Sequence, residues 1–363
     1  MLSSAVGTRR AGSSRARGAA VAAVAALSLV LVGCSSNNST GGAGATTGST
    51  QPPANSAAAP TGESPAPSGA TGPLTTVTYG TVTPTANTIN IDVAIDEGFF
   101  TKRGINIQIK SLSNATTVMN ALGQDYDIAT GFAPAEITAS NQGLKLKIIA
   151  GGAYDSADHP GTSVVVAANS GISSLGDLAG KTVGCVGLTN AIWQGFQYDL
   201  AQQKVDASKV KGVVVPSAAQ QAQLAAGQIQ AAVGTQPFIT QMTGAGMKDL
   251  GDPLRAVGDK VALTNFVATT DWANAHPDLV KSIREALDEA NQWIVANPDK
   301  LVPILVKYTG QDEAASKAAP LPGYETTFTQ DDFNQWVKVL TTVVPDFKTT
   351  LTYDQLTAPG LSS

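Results

Sequence analysis

Residues 170–190 have the sequence SGISSLGDLAGKTVGCVGLTN, and they place a short apolar strand directly before a helix. The predicted strand is Thr182–Val186, a short apolar run of the kind found inside a sheet. Gly187–Asn190 follows it, and a helix is predicted from Ala191 to Gln203. A strand that runs straight into a helix is the repeating unit of a parallel sheet covered by helices.

The same strand–helix rhythm continues on both sides of this unit. Before it, the hydrophobic pattern predicts strands at 75–82, 105–109, 126–129 and 146–150, with helices at 88–99, 115–122 and 133–141. Around and after it, strands are predicted at 164–167, 213–215 and 231–233, and helices at 218–226 and 237–243. A last strand at 265–269 is followed by a segment predicted to hold helices only. The pattern predicts an α/β protein with two lobes, residues 74–163 with 264–363 and residues 164–263.

Three helix starts are predicted near the carboxyl terminus. His276 precedes Pro277, Asn297 precedes Pro298, and Thr329 lies three residues before Asp332. Polar residues before a helix cap it, and proline is favoured at the first helical position. These helices are predicted to be scaffold.

The first 33 residues differ sharply from the rest. Four arginines, at positions 9, 10, 15 and 17, precede the apolar run Ala19–Val32, and Cys34 follows. The run is shorter than the roughly 20 residues that span a bilayer. The segment resembles a bacterial lipoprotein signal peptide covering residues 1–33, cleaved before a Cys34 that carries diacylglycerol. An ordinary secretory leader or a short membrane span stays open as an alternative.

Residues 34–73 are predicted to form a disordered linker. After Cys34 they are dominated by Ser, Thr, Gly, Ala and Pro, with Glu63 as the one charged residue. Such a segment cannot bury enough apolar surface to offset its ordering entropy. The expected location is therefore the outer face of the cell membrane, extracellular or periplasmic, with the folded part held away from the lipid.

Composition excludes several classes of protein. Removing the four leader arginines changes the formal charge from −5 to −9, which argues against a nucleic-acid partner. The second cysteine, Cys185, lies in the predicted strand and is expected to pack as a small apolar residue, so no disulfide is predicted. No cluster with metal-ligand spacing and no phosphate-binding P-loop is present in the sequence, so neither a metal nor a cofactor is predicted.

Several segments, taken in order, resemble the solute-binding proteins of ATP-driven importers, in the group that serves nitrate, aliphatic sulfonates, taurine and thiamine-pyrimidine precursors. The matching segments are 94–100, 104–107, 127–131, 143–146, 170–184, 226–232 and 274–281. The resemblance implies a periplasmic-binding-protein-like fold, two crossover hinge strands and a ligand cleft between the lobes. The crossings are expected near 159–164 and 263–267. The implied partners of this monomer are a small solute, an ABC permease and its ATPase.

Ligands of parallel sheets bind where loops leave the carboxyl ends of the strands. That rule selects four loops, and the ligand-binding candidates in or just after them are Thr83, Asn87, Thr130, Gly131, Phe132, Thr189, Asn190, Trp193 and Gln236. The helix predicted after Asn190 offers free N–H groups to an anion such as a carboxylate or sulfonate. Thr189 or Asn190 can equally well cap that helix. The aromatic candidates can either stack on a flat ligand or pack between elements.

The arginines argue against a strongly charged solute. After the leader only Arg103, Arg255 and Arg284 occur, and none is expected at the cleft. An anion commonly recruits a guanidinium group, so a neutral or singly anionic solute, such as a pyrimidine, is favoured.

Two other functions stay open. A surface lipoprotein that senses a ligand with a receptor or sensor kinase would need the same fold. A thiamine-pyrimidine synthase-like enzyme shares the fold, but that family carries a cysteine-rich run and a cleft histidine. His159 and His276, the two histidines, both precede prolines and are expected to be structural, so no catalytic residue is predicted.

Overall fold

The computed structural model describes residues 72–82, 84–112 and 118–361. The predicted signal peptide, Cys34, most of the linker and Thr83 lie outside the described residues.

The strands alternate with helices as the hydrophobic pattern predicted. They are β1 (Thr75–Thr81), β2 (Ile105–Ser111), β3 (Ile128–Gly131), β4 (Leu146–Gly151), β5 (Ala153–Ser156), β6 (Thr162–Val166), β7 (Thr182–Cys185), β8 (Lys211–Val214), β9 (Ala231–Thr235), β10 (Lys248–Asp249), β11 (Lys260–Ala262), β12 (Asn265–Thr269) and β13 (Gly323–Tyr324).

The helices lie between the strands and dominate the carboxyl-terminal part. They are α1 (Ile89–Asp96), α2 (Val118–Ala121), α3 (Ala133–Asn141), α4 (Ala191–Gln202), α5 (Ser217–Ala225), α6 (Phe238–Gly244), α7 (Thr270–Ala275), α8 (Pro277–Ala296), α9 (Pro298–Thr309), α10 (Glu313–Ala318), α11 (Gln330–Val343) and α12 (Tyr353–Leu356).

The strands form two five-stranded sheets within the described residues. The first sheet has the order β2-β1-β3-β12-β4, and the second has the order β10-β6-β9-β7-β8. Neighbouring strands β2, β1 and β3 are parallel, as are β8, β7 and β9. In each sheet the strand that follows a crossing is antiparallel to its neighbours: β12 in the first and β6 in the second. The predicted α/β architecture with two crossings is confirmed.

A third, small sheet lies beside the crossings and was not predicted. Its order is β11-β5-β13, and all its pairs are antiparallel. The prediction that only helices follow β12 was therefore wrong, because Gly323–Tyr324 pairs with β5. Two residues carry too short a pattern to be recognised as a strand.

The three predicted helix starts differ in how they are capped. The Thr329 hydroxyl and the Asp332 carboxylate form a reciprocal capping box at α11. The expectation of a side-chain cap was wrong at the other two helices. Asn297 instead donates from Nδ2 to the carbonyl of Trp293 at 2.9 Å, and His276 makes no capping hydrogen bond.

The hydrophobic core connects the two sheets on one side. The first sheet packs on α1, α8 and α9 through residues such as Ile89, Ile283 and Leu287, all fully buried. A second cluster runs from α3 across α4 to α11, where Trp336 is fully buried. The Trp336 indole N–H donates to the carbonyl of Ala262 at 3.0 Å. Helix α11 therefore packs on α3, which connects strands of the first sheet, and on α4, which connects strands of the second sheet.

Within the described parts of the chain, none of the helices is long and apolar enough to span a bilayer.

Candidate functional site

A small cavity lies where loops from both sheets meet. The first-sheet side contributes residues that follow β1 and β3, and the second-sheet side contributes residues that end or follow β7 and β9. Its described lining consists of Val82, Thr85, Asn87, Thr88, Val118, Thr130, Phe132, Val186, Ile192, Thr235 and Thr264. The cavity therefore occupies the carboxyl-terminal ends of parallel strands, where ligands bind in open α/β sheets.

The cavity is small and mostly closed off by its described lining, with a volume of about 30 Å³. Larger depressions exist on the outside, such as one of about 630 Å³ along α9, but Asp299, Pro303 and Lys307 in its lining are exposed. A solute of several heavy atoms would need the two walls to move apart before it could enter.

Backbone hydrogen bonds hold the two walls together. The Ala86 N–H, on the first-sheet side, donates to the carbonyl of Gln236 at the end of the second-sheet wall, at 3.0 Å. The Gln236 N–H donates in turn to the carbonyl of Gly161 in the first crossing, at 3.1 Å. The segment around Gln236 therefore touches both the opposite wall and the crossing.

Three of the lining threonines have their hydroxyl groups occupied by the backbone. Thr264 Oγ1 accepts from the N–H of Ala153 at 2.8 Å and donates to the carbonyl of Asn87 at 2.9 Å. Thr88 Oγ1 accepts from the N–H of Thr85, and Thr85 Oγ1 accepts from the N–H of Asn87. These side chains fix the shape of the first-sheet wall.

Two other lining side chains carry oxygens that lack partners. Asn87 is 2% exposed and Thr235 is 3% exposed. Asn87 Oδ1 and Thr235 Oγ1 have no hydrogen-bond partner among the described residues. Asn87 Oδ1 also lies close to Gly161, since a Cβ added to that glycine would be 2.8 Å from it. A buried polar atom without a partner costs free energy, so these two oxygens mark a place where a partner is missing.

A buried tyrosine supports the floor of the cavity. The Tyr79 hydroxyl shares a short hydrogen bond with Thr130 Oγ1, and both side chains are buried. Burial raises the pKa of Tyr79, and the nearby carboxylate of Asp92 raises it further. Tyr79 is therefore a neutral hydrogen-bonding group at physiological pH.

A buried carboxyl group lies directly behind Gly131. Glu136 is fully buried in the first turn of α3, and its Oε2 accepts from Nδ2 of Asn265 at 2.9 Å. Glu136 Oε1 and Asn265 Oδ1 have no partner in the described structure, and a Cβ at Gly131 would overlap with both. Burial raises the pKa of Glu136 to about 8, although the bond from Asn265 opposes that shift. Glu136 is therefore mostly protonated at neutral pH, and it is held in place by the bond from Asn265 Nδ2.

The structure brings three of the predicted site residues together. Asn87, Thr130 and Phe132 line the cavity. Gly131 instead makes room for Glu136 and Asn265. Thr83, the candidate before Pro84, lies outside the described residues. Ligand contact by these residues remains a prediction.

The second-sheet candidates lie around the cavity without lining it. Asn190 caps α4, because its Oδ1 accepts from the N–H of Trp193 at 2.9 Å, whereas Thr189 is exposed. Trp193 packs over Gly212 of β8 and against Phe196. Gln236 Oε1 accepts from the Thr240 hydroxyl at 2.8 Å. Their contact with ligand also remains a prediction.

Sequence reasoning did not select most of the lining. Thr85 and Thr235 lie in loops that the strand-end rule selected, but other residues of those loops were chosen. Val186 ends its predicted strand, and Ile192 lies in the first turn of α4. Thr264 lies between β11 and β12 at the second crossing. The expected position of that crossing was the one signal that could have selected it.

The three arginines among the described residues are held by contacts outside the cavity lining. Arg255 donates from Nη2 to Oδ1 of Asp155 at 2.5 Å and from Nε to Asp252 at 2.8 Å. Arg103 pairs with Glu289 at 2.8 Å, and Arg284 donates to the carbonyls of Ile149 and Pro359. The prediction that no arginine reaches the cleft agrees with these contacts.

The described residues contain no cluster of three or more His, Cys, Asp or Glu side chains arranged to bind a metal ion. Cys185 is buried at the end of β7 as a free thiol, and burial raises its pKa to about 11. It is therefore an unreactive core residue at neutral pH.

Comparison with known proteins places this geometry in context. The model of the family described as NMT1/THI5 like matches residues 85–301. A Brucella abortus (strain 2308) protein named as a binding protein is 25% identical over 225 residues, which cover 61% of this chain and 68% of that protein.

Solved structures share the fold at lower identity. The alkanesulfonate-binding protein SsuA from Xanthomonas axonopodis pv. citri, bound to MOPS, is 15% identical with a TM-score of 0.64, covering 74% of this chain and 92% of that one. The periplasmic nitrate-binding protein NrtA from Synechocystis PCC 6803 is 15% identical with a TM-score of 0.62, covering 74% of this chain and 81% of that one.

Proposed function

The chain belongs to the NMT1/THI5-like family and has the periplasmic-binding-protein fold, and from this premise we propose that it captures a small solute between its two sheets and delivers it to an ABC-type permease. The observation that carries the proposal is the small cavity that loops from both sheets line together. The Brucella relative is named as a binding protein, which supports binding rather than catalysis. The solute class proposed from the sequence is a small sulfonate, carboxylate or pyrimidine-like compound.

The proposed mechanism is closure of two lobes on the solute. We assign residues 74–163 and 264–363 to one lobe and residues 164–263 to the other. The bond from the Ala86 N–H to the Gln236 carbonyl exists only when the walls meet, so it is a contact of the closed form. A ligand that contacts both walls shifts the population toward closure. The permease then distinguishes the closed form from the open form by its outer surface.

We further propose that the protein is anchored by a lipid on Cys34 at the outer face of the membrane. The basic residues, the short apolar run and the cysteine support this proposal. Cys34→Ala should release the protein from cells into the medium, whereas Cys185→Ala, which changes the other cysteine, should leave it attached. Retention of the Cys34→Ala protein in the membrane fraction would contradict the anchor.

Solution scattering tests closure. A panel of sulfonates, carboxylates, pyrimidines and their uncharged analogues is first screened by the rise in melting temperature of the purified chain. With a compound that raises the melting temperature, the radius of gyration should fall. An unchanged radius would contradict closure, and a chemically altered compound recovered after incubation would contradict a binding role.

Import and sensing give different results in membranes. If the protein serves an importer, vesicles that contain the cognate permease and ATPase should accumulate labelled solute only when the protein is present. Binding without accumulation, together with ligand-dependent phosphorylation by a partner kinase, would favour the sensing alternative.

A further inference from the structure

The polarity of the cavity narrows the chemistry of its ligand. Among the described residues its lining is apolar or neutral, with Val82, Val118, Phe132, Val186 and Ile192 supplying the apolar surface. No ionisable side chain is present in this described lining.

The buried carboxyl groups near the cavity supply no positive charge to an anion. Glu136, behind Gly131, is mostly protonated at neutral pH because burial raises its pKa to about 8. Asp155, beside the first crossing, is paired with Arg255 and accepts from the N–H groups of Gly161 and Thr162. An anionic solute enclosed here would find no counter-charge, and burying an unpaired charge is costly.

The two oxygens without partners indicate which hydrogen-bonding groups the ligand should carry. Asn87 Oδ1 is an acceptor, and Thr235 Oγ1 can both accept and donate. The two side chains belong to opposite walls, Asn87 after β1 and Thr235 at the end of β9. A ligand group with an N–H or O–H can donate a hydrogen bond to such an acceptor, whereas an anion would be repelled by it. A polar ligand group that bonds to both walls would also stabilise the closed form.

We infer that the solute is an uncharged, largely apolar molecule with an N–H or O–H donor, held between Asn87 on one wall and Thr235 on the other. This inference rests on the proposed solute-binding function and excludes nitrate, sulfonates and carboxylates as the preferred ligands. It also assigns specificity to Thr235, because its hydroxyl has no other partner in the described structure.

Matched pairs of probes separate the charge classes. The full chain is titrated calorimetrically with benzamide and benzoate, nicotinamide and nicotinate, and methanesulfonamide and methanesulfonate, with nitrate added as a further anion. Each pair keeps its shape and differs in charge. The amide members should bind at least about tenfold more tightly than the acids, and their affinity should change little between low and high salt because no ion pair forms.

Substitution of Thr235 separates a ligand-contacting role from a structural one. Thr235→Val removes the hydroxyl at nearly constant shape, so affinity for the amides should fall about tenfold, while Thr235→Ser should keep most of it. Without ligand, the melting temperature of Thr235→Val should be unchanged or higher, because an unsatisfied buried oxygen is gone. Lower stability with unchanged affinity would overturn the assignment of Thr235.

The outcomes distinguish this inference from the function on which it rests. If benzoate, methanesulfonate or nitrate bind and the amides do not, the uncharged class is overturned and solute binding stands. If none of these compounds or of the screened panel binds, both are overturned.

Discussion

The first crossing and the cavity wall both bury polar groups, but they satisfy them in opposite ways. At the crossing, Asp155 is fully buried and accepts from four donors, including the Thr162 hydroxyl at 2.9 Å and Arg255 at 2.5 Å. On the wall, Asn87 and Thr235 are almost as buried, yet each keeps an oxygen without a partner. The satisfied groups at the crossing hold the fold, whereas the two oxygens in the cavity lining lack a partner that a ligand could supply.

Glu136 lies between these two cases. Like Asp155 it is fully buried, but it contacts an amide instead of a cation. A bound proton therefore neutralises the Glu136 carboxylate, whereas Arg255 pairs with the carboxylate at the crossing. Substitutions at these places should consequently change the free energy of unfolding by different amounts and with different pH dependence.

The largest effect is expected from Arg255→Ala, which leaves Asp155 buried without its cation. Loss of one partner of a buried pair costs about 3–5 kcal/mol of the free energy of unfolding. Urea unfolding at pH 7 measures it. Lys102→Ala removes an exposed pair with Glu289 and should cost less than about 1 kcal/mol. If the two variants lost equal free energy of unfolding, the proposed difference between the buried pair at the crossing and the surface pair would be contradicted.

Glu136→Gln should stabilise the protein in a pH-dependent way. The folded pKa of about 8 lies above the ordinary glutamate value of 4.5, so between these values the folded state binds a proton that the unfolded state releases. The unfolding free energy of the native protein therefore falls as pH rises through this window and is then level. The glutamine amide oxygen can still accept from Asn265 Nδ2, and the amide carries no charge at any of these pH values.

The advantage of Glu136→Gln should be near zero at pH 4.5, reach about 3 kcal/mol at pH 7 and become level above pH 8. Chemical unfolding at several pH values gives the curve. Glu97→Gln, at an exposed position, is the control and should change little at any pH. A pH-independent difference for Glu136→Gln would show that Glu136 is ionised in the folded state.

The smallest effect is expected in the loop before α4. Asn190→Ala removes the cap on the Trp193 N–H and should cost about 1 kcal/mol, whereas Thr189→Ala, at an exposed position, should stay within about 0.5 kcal/mol. Asn190→Asp should retain most of the stability. If Thr189→Ala instead weakens ligand binding without loss of stability, the helix-terminus site predicted from the sequence gains support.

Much of the fold could be predicted from the sequence because alternating strands and helices leave a strong local pattern. The strand at 265–269 was predicted, and it lies in the first sheet as β12. The small sheet was missed because its strands are short, with two residues in β13. The bridging role of α11 was also missed, because the spacing of Phe333 and Trp336 predicts a buried face but not its partner.

The site was predicted at the level of loops but not of side chains. The rule that ligands bind at the carboxyl ends of strands selected the loops around Asn87, Thr130 and Thr235. It could not determine which neighbour turns inward: Asn190 is buried at its cap while Thr189 faces solvent. Thr264 comes from a distant crossing, so its place in the lining depends on how the two walls meet.

Hydrogen exchange at the Ala86 amide tests the central claim most directly, because this N–H donates across the cavity to the Gln236 carbonyl only when the walls are closed. The full chain is compared with and without the compound that raises its melting temperature most. The account predicts that the compound slows exchange at Ala86 much more than at Ile283, which lies in the core of α8 away from the cavity. Equal slowing at both positions, or no slowing at Ala86, would contradict closure of the two walls on a solute.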